Sequence, residues 1–365
     1  LFFLSVILSL LVCEILLRNV FVNDQLKFRI EANKKQFKNF QKLTWKSNNL
    51  SFEPSSEGVV NHPEYKYKIL HDEIGFRNPC YSSKKKNIKN IVVGDSFVYC
   101  VGVEDLDTLN CQIEIDNYTL GVPNASSSCY VQLIQRHYPN LKKNFNIEGL
   151  INIHIILYIG NDFEKLLDLN AGCPTEEINE IKFNRRGYLA QLNHLLTKGF
   201  LSEFYLPQLP KLLYKNYTNE RKYRNINLLD RKYFIDNGND TFYTSYEHID
   251  DVKFENSLKE IFEKLKNVDK SNFNISFYLM PSGSDISKKR LIRKSKISGF
   301  NYENIDTDIK YSSLINSCKK IKINCKDLRK YFTDKSYYYH DTHLNREGVK
   351  ILSKIIDKNS EKIRN

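Results

Sequence analysis

The sequence has no Cys-x-x-Cys pair and no histidine at zinc-finger spacing from a cysteine, so the common structural zinc modules are excluded. It lacks a G-x-x-x-x-G-K-[ST] loop and a G-x-G-x-x-G turn, the two familiar backbone cradles for phosphate. It also lacks a G-x-S-x-G elbow, which argues against the α/β-hydrolase fold. No internal repeat or low-complexity tract is visible, so a solenoid or repeat array is excluded. Histidines such as His62, His71, His137, His154, His194 and His248 are scattered singly. None joins a second histidine or a cysteine in a ligand pattern, and neither metal nor cofactor is expected.

Charge of one sign dominates without being organised. Fifty-five Lys and Arg outweigh 43 Asp and Glu, giving a formal net charge of +12. Clusters such as Lys84–Lys86 and Lys319–Lys320 read as solvated loops and helix ends. No basic stripe interleaved with aromatics is present, so nucleic acid is not an expected partner. An anionic membrane surface or an acidic polymer suits this charge better.

The eight cysteines fall at 13, 80, 100, 111, 129, 173, 318 and 325. Cys13 lies in an apolar run, and the seven others are an odd number, so at least one should be a free thiol. A bridge such as Cys318 to Cys325 is compatible with the spacing, but sequence alone does not pair them.

Residues 1–22 are nearly unbroken hydrophobics, with Glu14 and Arg18 as the only charges. A cleaved signal peptide would want a small-residue cleavage site, and none is evident after Leu17. A buried core helix is rarely apolar on every face. The run is therefore expected to be a single transmembrane helix, with Glu14 and Arg18 pairing one turn apart near the interface. The chain begins without Met, so the basic flank is expected to lie upstream of Leu1, and the positive-inside rule assigns no orientation.

Past this anchor, Asn23 to Lys46 is polar and helix-compatible, a stalk. Asn48 to Lys86, punctuated by Pro54, Gly58, Pro63, Gly75 and Pro79, reads as an irregular approach segment, so that 23–88 precedes the main domain. From about residue 89 to 360, short apolar strands alternate with helices. Ile91–Val93, Tyr118–Leu120, Ile151–Ile159, Asn274–Met280 and Ile321–Cys325 read as strands. Ser126–Tyr138 and Arg346–Ile356 read as helices. That rhythm predicts a doubly wound α/β fold with a central parallel sheet. An aromatic-rich stretch at about 163–254 interrupts it and is expected to be an insertion that caps or flanks the core.

Three polar clusters sit at the junctions where open α/β sheets place their sites. They are Gly94-Asp95-Ser96-Phe97, Gly160-Asn161-Asp162, and His340-Asp341-Thr342-His343-Leu344-Asn345 just before the last helix. Each alone has a plain structural explanation, since Asn and Asp cap helices. Their order along one chain is harder to dismiss.

That ordered set resembles the SGNH/GDSL hydrolase superfamily, in particular its membrane-anchored bacterial members. The nucleophile block is similar to Val92-Val93-Gly94-Asp95-Ser96-Phe97 followed by Gly102-Val103-Glu104-Asp105. Glu73-Ile74-Gly75-Phe76-Arg77-Asn78 resembles the Gly-Phe-Arg stretch those proteins carry upstream. The later blocks resemble Leu120-Gly121-Val122-Pro123, Gly160-Asn161-Asp162, and Asp341-Thr342-His343-Leu344-Asn345 with Gly348. The resemblance spans about 70 to 356, apart from the insertion. It implies a flavodoxin-like three-layer α/β/α fold and a serine esterase.

In that reading Ser96 is the nucleophile, His343 its general base, and Asp341 the group that orients the imidazole. The oxyanion donors would be the Ser96 amide, a backbone amide at Asn124 and the side-chain amide of Asn161. Two departures stand out. Asn124 occupies the place of an oxyanion glycine, although Asn tolerates left-handed backbone angles better than most residues. The acid and base are spaced Asp-x-His rather than Asp-x-x-His, which leaves His340 three before His343 as a bystander. The resemblance implies an extracytoplasmic esterase that removes O-acyl groups, most naturally acetyl, from a glycan, another envelope substrate or a small ester. An O-acyltransferase on the same triad and a catalytically silent binding protein are the alternatives.

Overall fold

The computed structural model describes residues 2–16, 45–62, 64–81, 87–145, 147, 149–160, 162, 173–174, 234–236, 241–243, 251–268, 273–298 and 305–362. Five parallel strands form the central sheet: β1 (Asn90–Gly94), β2 (Asn117–Gly121), β3 (Ile151–Tyr158), β4 (Phe273–Met280) and β5 (Asn324–Asp327). Their spatial order is 2-1-3-4-5, so the direction of winding reverses between β1 and β3. Among the described residues the longer helices are α1 (Phe2–Leu16), α2 (Ser127–Asn144), α3 (Asp251–Lys266), α4 (Lys288–Ser298), α5 (Ile309–Lys320) and α6 (Arg346–Lys362).

The near-continuous apolar runs of β1 and β3 follow from burial on both faces, the usual condition of a parallel sheet. Side chains alternate between the two layers. Ile91 and Val93 of β1, with Ile153, Ile155 and Leu157 of β3, share one apolar core with α2, α3 and α5. Val92, Ile156, Tyr158, Tyr278 and Met280 face the other way and pack with Val349, Leu352 and Ile356 of α6. Each large side chain withdrawn from water in these layers contributes about 1.5–3 kcal/mol. The α/β fold with a parallel sheet and flanking helices is thus the one the strand–helix rhythm predicts.

The foot of the sheet carries a different pattern. Asn117, Asn90, Asn152 and Asn274 sit in one register row across β2, β1, β3 and β4. Asn274 Nδ2 donates to Asn152 Oδ1 at 3.0 Å, and Asn152 Nδ2 donates to Asn90 Oδ1 at 3.1 Å. The end of α6 closes over this row. Ser360 Oγ donates to Asn90 Oδ1, and Asn359 Nδ2 donates to the Tyr278 hydroxyl at 2.8 Å. His154, fully buried in β3, bonds Tyr278 through Nδ1 at 2.9 Å. Burial, with Lys326 nearby, pushes its imidazole down to about 3, so it is a neutral member of the core.

The approach segment is more regular than its proline and glycine content suggests. Trp45–Lys46 pairs with Ser51–Phe52, and Glu57–Asn61 pairs with Lys66–Leu70 in a second antiparallel hairpin. Strict alternation explains the second: Tyr67 and Ile69 are buried while Lys66, Lys68 and Leu70 point out. Trp45, Phe52, Val60, Tyr67, Ile69 and Phe76 belong to the same core as the sheet.

Two elements differ in extent from their sequence reading. α2 continues through Pro139 to Asn144 because Leu141, on its apolar face, is buried in the core. β5 starts at Asn324 rather than Ile321, since Lys322 takes a left-handed turn (φ 57°) that delays the strand. α1 has 15 residues, and among the described residues no helix is long and apolar enough to cross a membrane. Arg18, the expected partner of Glu14, lies outside the described residues. Most of the 163–254 insertion also does; its described parts include the short hairpin Phe234–Asp236/Thr241–Tyr243.

Three disulfides are formed, Cys80–Cys111, Cys129–Cys173 and Cys318–Cys325. Cys13 is an exposed thiol, and Cys100 is the free thiol left by the odd count of the other seven.

Candidate active site

β1 ends at Gly94 and hands the chain to Asp95-Ser96-Phe97 at the carboxyl edge of the sheet, beside the switch in strand order. Asp95 is fully buried and shapes the turn: its Oδ1 accepts the Phe97 amide at 3.0 Å and its carbonyl accepts the Tyr99 amide. The Ser96 carbonyl accepts the Val101 amide at 3.1 Å, so Asp95 to Val101 coils tightly. Ser96 is half-buried while its neighbours Asp95, Phe97 and Val98 are buried. Ser96 is therefore the one residue of 95–98 that reaches the surface.

Two features hold that turn in place. Gly121, the last residue of β2, lies under it so closely that a Cβ there would come within 2.3 Å of the Tyr99 amide nitrogen. Arg77, from the Gly75-Phe76-Arg77 stretch, is buried beneath it and spends every guanidinium N–H on it or beside it. Nη1 donates to the Tyr99 and Cys100 carbonyls, Nη2 to those of Val103 and Lys68, and Nε to Asp105 Oδ1 at 2.9 Å. The Gly102-Val103-Glu104-Asp105 turn is thereby locked to Arg77. Gly102 itself has φ 101° and sits against the Tyr338 ring.

The second block begins alongside. Val122 N donates to the Gly94 carbonyl at 3.1 Å, tying it to the end of β1. Asn124 is exposed and has φ 64°, the left-handed conformation that a glycine would adopt at no steric cost. At the third block, Asn161 lies outside the described residues. Its neighbour Asp162 is fully buried, and its Oδ2 accepts the Tyr158 amide at 3.0 Å and the Tyr130 hydroxyl at 2.7 Å.

The fourth block arrives from the other end of the chain. His343 Nδ1 and Asp341 Oδ1 are 2.6 Å apart, and the same oxygen accepts the His343 backbone amide at 3.0 Å. Two intervening bonds thus let one short loop present both groups in fixed relation. His343 lies against the turn that carries Ser96, its ring centroid 5.5 Å from that of Phe97. Thr342 hydrogen-bonds Tyr158 at the end of β3, which sets the loop over the sheet edge. His340 does not enter this pair; its ring meets Tyr339 edge-on at 4.6 Å.

Electrostatics follow from this packing. Burial by itself would raise the Asp341 carboxyl, but the facing His343, its hydrogen bonds and the Tyr65 hydroxyl outweigh it and hold the group well below the usual carboxylate range. Burial would likewise lower the His343 imidazole, yet Asp341 and then Asp95 draw it above its ordinary value. The arrangement favours an imidazole that accepts a proton readily and is stabilised once charged.

Three further side chains reach the site from the hairpin turn at 62–65. Tyr65 donates its hydroxyl to Asp341 Oδ2 at 2.7 Å. The Glu64 carboxylate accepts the backbone amides of His340 and Asp341 at 2.9–3.1 Å. His62 stacks on Tyr65, ring centroids 4.1 Å apart, with Nε2 3.9 Å from Asp341 Oδ2. No motif marks these residues in the sequence, because the contact spans about 276 positions and a lone Tyr in a hairpin reads as packing. Among the described residues no group of three or more His, Cys, Asp and Glu side chains could hold a metal ion.

No family model and no curated protein matches the chain. One solved crystal structure aligns over 76% of this chain and 98% of its own, at 7% identity and a TM-score of 0.36, which bears on neither fold nor function.

Proposed function

We propose that this chain is a serine esterase of the SGNH/GDSL type, with Ser96 as nucleophile, His343 as general base and Asp341 as its orienting acid. The observation that carries the reading is the Asp341–His343 pair, 2.6 Å apart, resting on the turn that bears Ser96. A serine hydroxyl is a weak nucleophile until a base takes its proton, and a base works best when a carboxylate fixes its tautomer. The 2-1-3-4-5 strand order is that of flavodoxin-like sheets, whose sites lie at the switch between the first and third strands, where Ser96 stands.

In the reaction, Ser96 Oγ attacks the acyl carbonyl as its proton passes to His343 Nε2. The oxyanion is received by the Ser96 amide, the backbone at Asn124 and the side chain of Asn161. Donors of this kind contribute about 3–4 kcal/mol each. His343 then protonates the leaving alcohol, and water, activated by the same imidazole, releases the acid. The substrate class proposed is an O-acyl, chiefly O-acetyl, ester on a glycan or other envelope component. The three disulfides favour an oxidising, extracytoplasmic compartment, and the apolar stretch 1–22 favours attachment to a membrane.

The test is hydrolysis of 4-nitrophenyl acetate by the wild type beside Ser96→Ala, with fluorophosphonate labelling read by mass spectrometry. Ser96-dependent turnover and a label on Ser96 are expected. Equal turnover in both proteins and no label would remove the hydrolase reading.

A further inference from the structure

The catalytic pair is held from below by a part of the chain that lies outside the block pattern. Asp341 has two carboxylate oxygens, and Oδ1 is committed to His343 through both the ring and the backbone amide. Oδ2 is left to the Tyr65 hydroxyl at 2.7 Å. That phenol is itself fixed: His62 stacks on one side of its ring and Tyr338 packs at 4.8 Å. Tyr338 in turn donates its hydroxyl to the Gly102 carbonyl at 2.6 Å, in the loop that follows the nucleophile turn. The backbone of the same catalytic loop is gripped by Glu64, which takes the amides of both His340 and Asp341.

We infer that the hairpin turn 62–65 is part of the catalytic centre, with Tyr65 a positioning residue that fixes the torsion of Asp341 and tempers its charge. The inference rests on the esterase reading of Ser96, Asp341 and His343. A carboxylate bonded at one oxygen can still swing about its last torsion, and the imidazole follows it. A donor on the second oxygen stops that motion and so fixes the direction of Nε2. The same donor draws charge from the carboxylate, so His343 holds its proton less tightly than it would beside Asp341 alone.

Among the described residues other groups also act on the pair, Tyr67 among them. Asp95 faces His343 from the nucleophile turn. Lys294 of α4 acts on Asp341 from another side, as do His62 and Glu64 from the hairpin and Tyr338 from the catalytic loop. Substituting Tyr65→Phe leaves all of these in place and keeps the stacked ring, so the perturbation is confined to one hydroxyl.

The experiment is Tyr65→Phe in the full chain, with folding checked by the fluorescence of Trp45. His343 is followed by NMR titration of its ring, and turnover of 4-nitrophenyl acetate is measured in parallel. We expect the His343 midpoint to rise by about half a unit and kcat to fall roughly tenfold with KM unchanged, the loss of one charge-assisted hydrogen bond. In an Asp341→Asn background the same substitution should change kcat by less than about twofold, because Tyr65 acts through Asp341. A midpoint that stays put or falls, a kcat within about twofold of wild type, or an undiminished effect in the Asp341→Asn background would overturn the inference. Failure of the esterase reading is separately visible, as turnover in the wild type that survives Ser96→Ala. The His343 titration is read whether or not the protein turns over.

Discussion

Arg77 offers the sharpest test of how the turn that carries Ser96 is held. Replacing it by Met keeps most of the buried stem and removes the guanidinium, whose side chain with Asp105 is 1% and 21% exposed respectively. Two acceptors on buried residues then lose their partner, the carbonyls of Tyr99 and Val103, while the Cys100 carbonyl keeps the Val103 amide at 3.4 Å. Each such orphan costs about 1–3 kcal/mol. Lys68 sits at the surface and can turn its carbonyl to water, and Asp105, partly solvated, adds little. The sum is a loss of about 4 kcal/mol, within the range seen when one partner of a buried charged network is removed. Arg77→Lys should lose nearly as much, since an ammonium has no planar fork with which to reach four carbonyls and a carboxylate. Guanidinium denaturation read on Trp45, the only tryptophan and buried in the adjoining hairpin, measures both variants. The proposed esterase activity should fall with them, because the Asp95–Val101 coil loses its floor. A loss below about 1 kcal/mol in Arg77→Met would refute the reasoning.

Other expectations follow from the site. The acid limb of kcat/KM should lie above the ordinary histidine value of about 6.5, since Asp341 and Asp95 raise His343. Asp341→Asn should bring the limb down and lower kcat by about 10⁴; a limb that does not move contradicts the assignment. The pair also ties stability to pH with opposite signs. The depressed Asp341 contributes stability above about pH 4 that is lost as the pH falls towards its lowered value, while the raised His343 contributes stability below about pH 6.5 that is lost as the pH climbs past its raised one. At Asn124, Gly should leave turnover near wild type, whereas Val, β-branched at φ 64°, should cost about 1–2 kcal/mol and reduce kcat. Equal behaviour of the two variants would show that the second block's backbone does not matter to the rate.

What could be read from the sequence was what repeats locally. Ile91–Val93 and Ile151–Ile159 announce buried strands because parallel strands are apolar on both faces, and the helices carry the spacing of one packed side. Ser96, Asp341 and His343 stood out as candidates because each stands at a junction, where a short polar cluster follows an apolar run. The same rule could not find Tyr65 or Glu64, which act across the fold from a hairpin whose prolines and glycines hide a five-residue alternation. Nor could it give Arg77 a role, since its acceptors are backbone carbonyls and carry no sequence signature. The disulfides were undecidable for a simpler reason: pairing depends on which Cα atoms the fold brings within about 6 Å, and spacing along the chain does not say.

The row of asparagines at the foot of the sheet acts as a ruler for the site at its top. Amides are poor strand formers and costly to bury, so a strand displaced by one position would push its Asn into the apolar layer and strip its neighbour of a hydrogen bond. Such a slip would also turn every side chain to the opposite face. With Asn90 level with Asn152, each residue climbed adds about 3.3 Å to both strands alike. The height at which Gly94 releases Ser96 is therefore set against the height at which β3 delivers Tyr158, Gly160 and Asp162. Disturbing Asn90 or Asn152, at the far end of the sheet from any substrate, should blur the alignment of the nucleophile with its neighbours before it unfolds the protein.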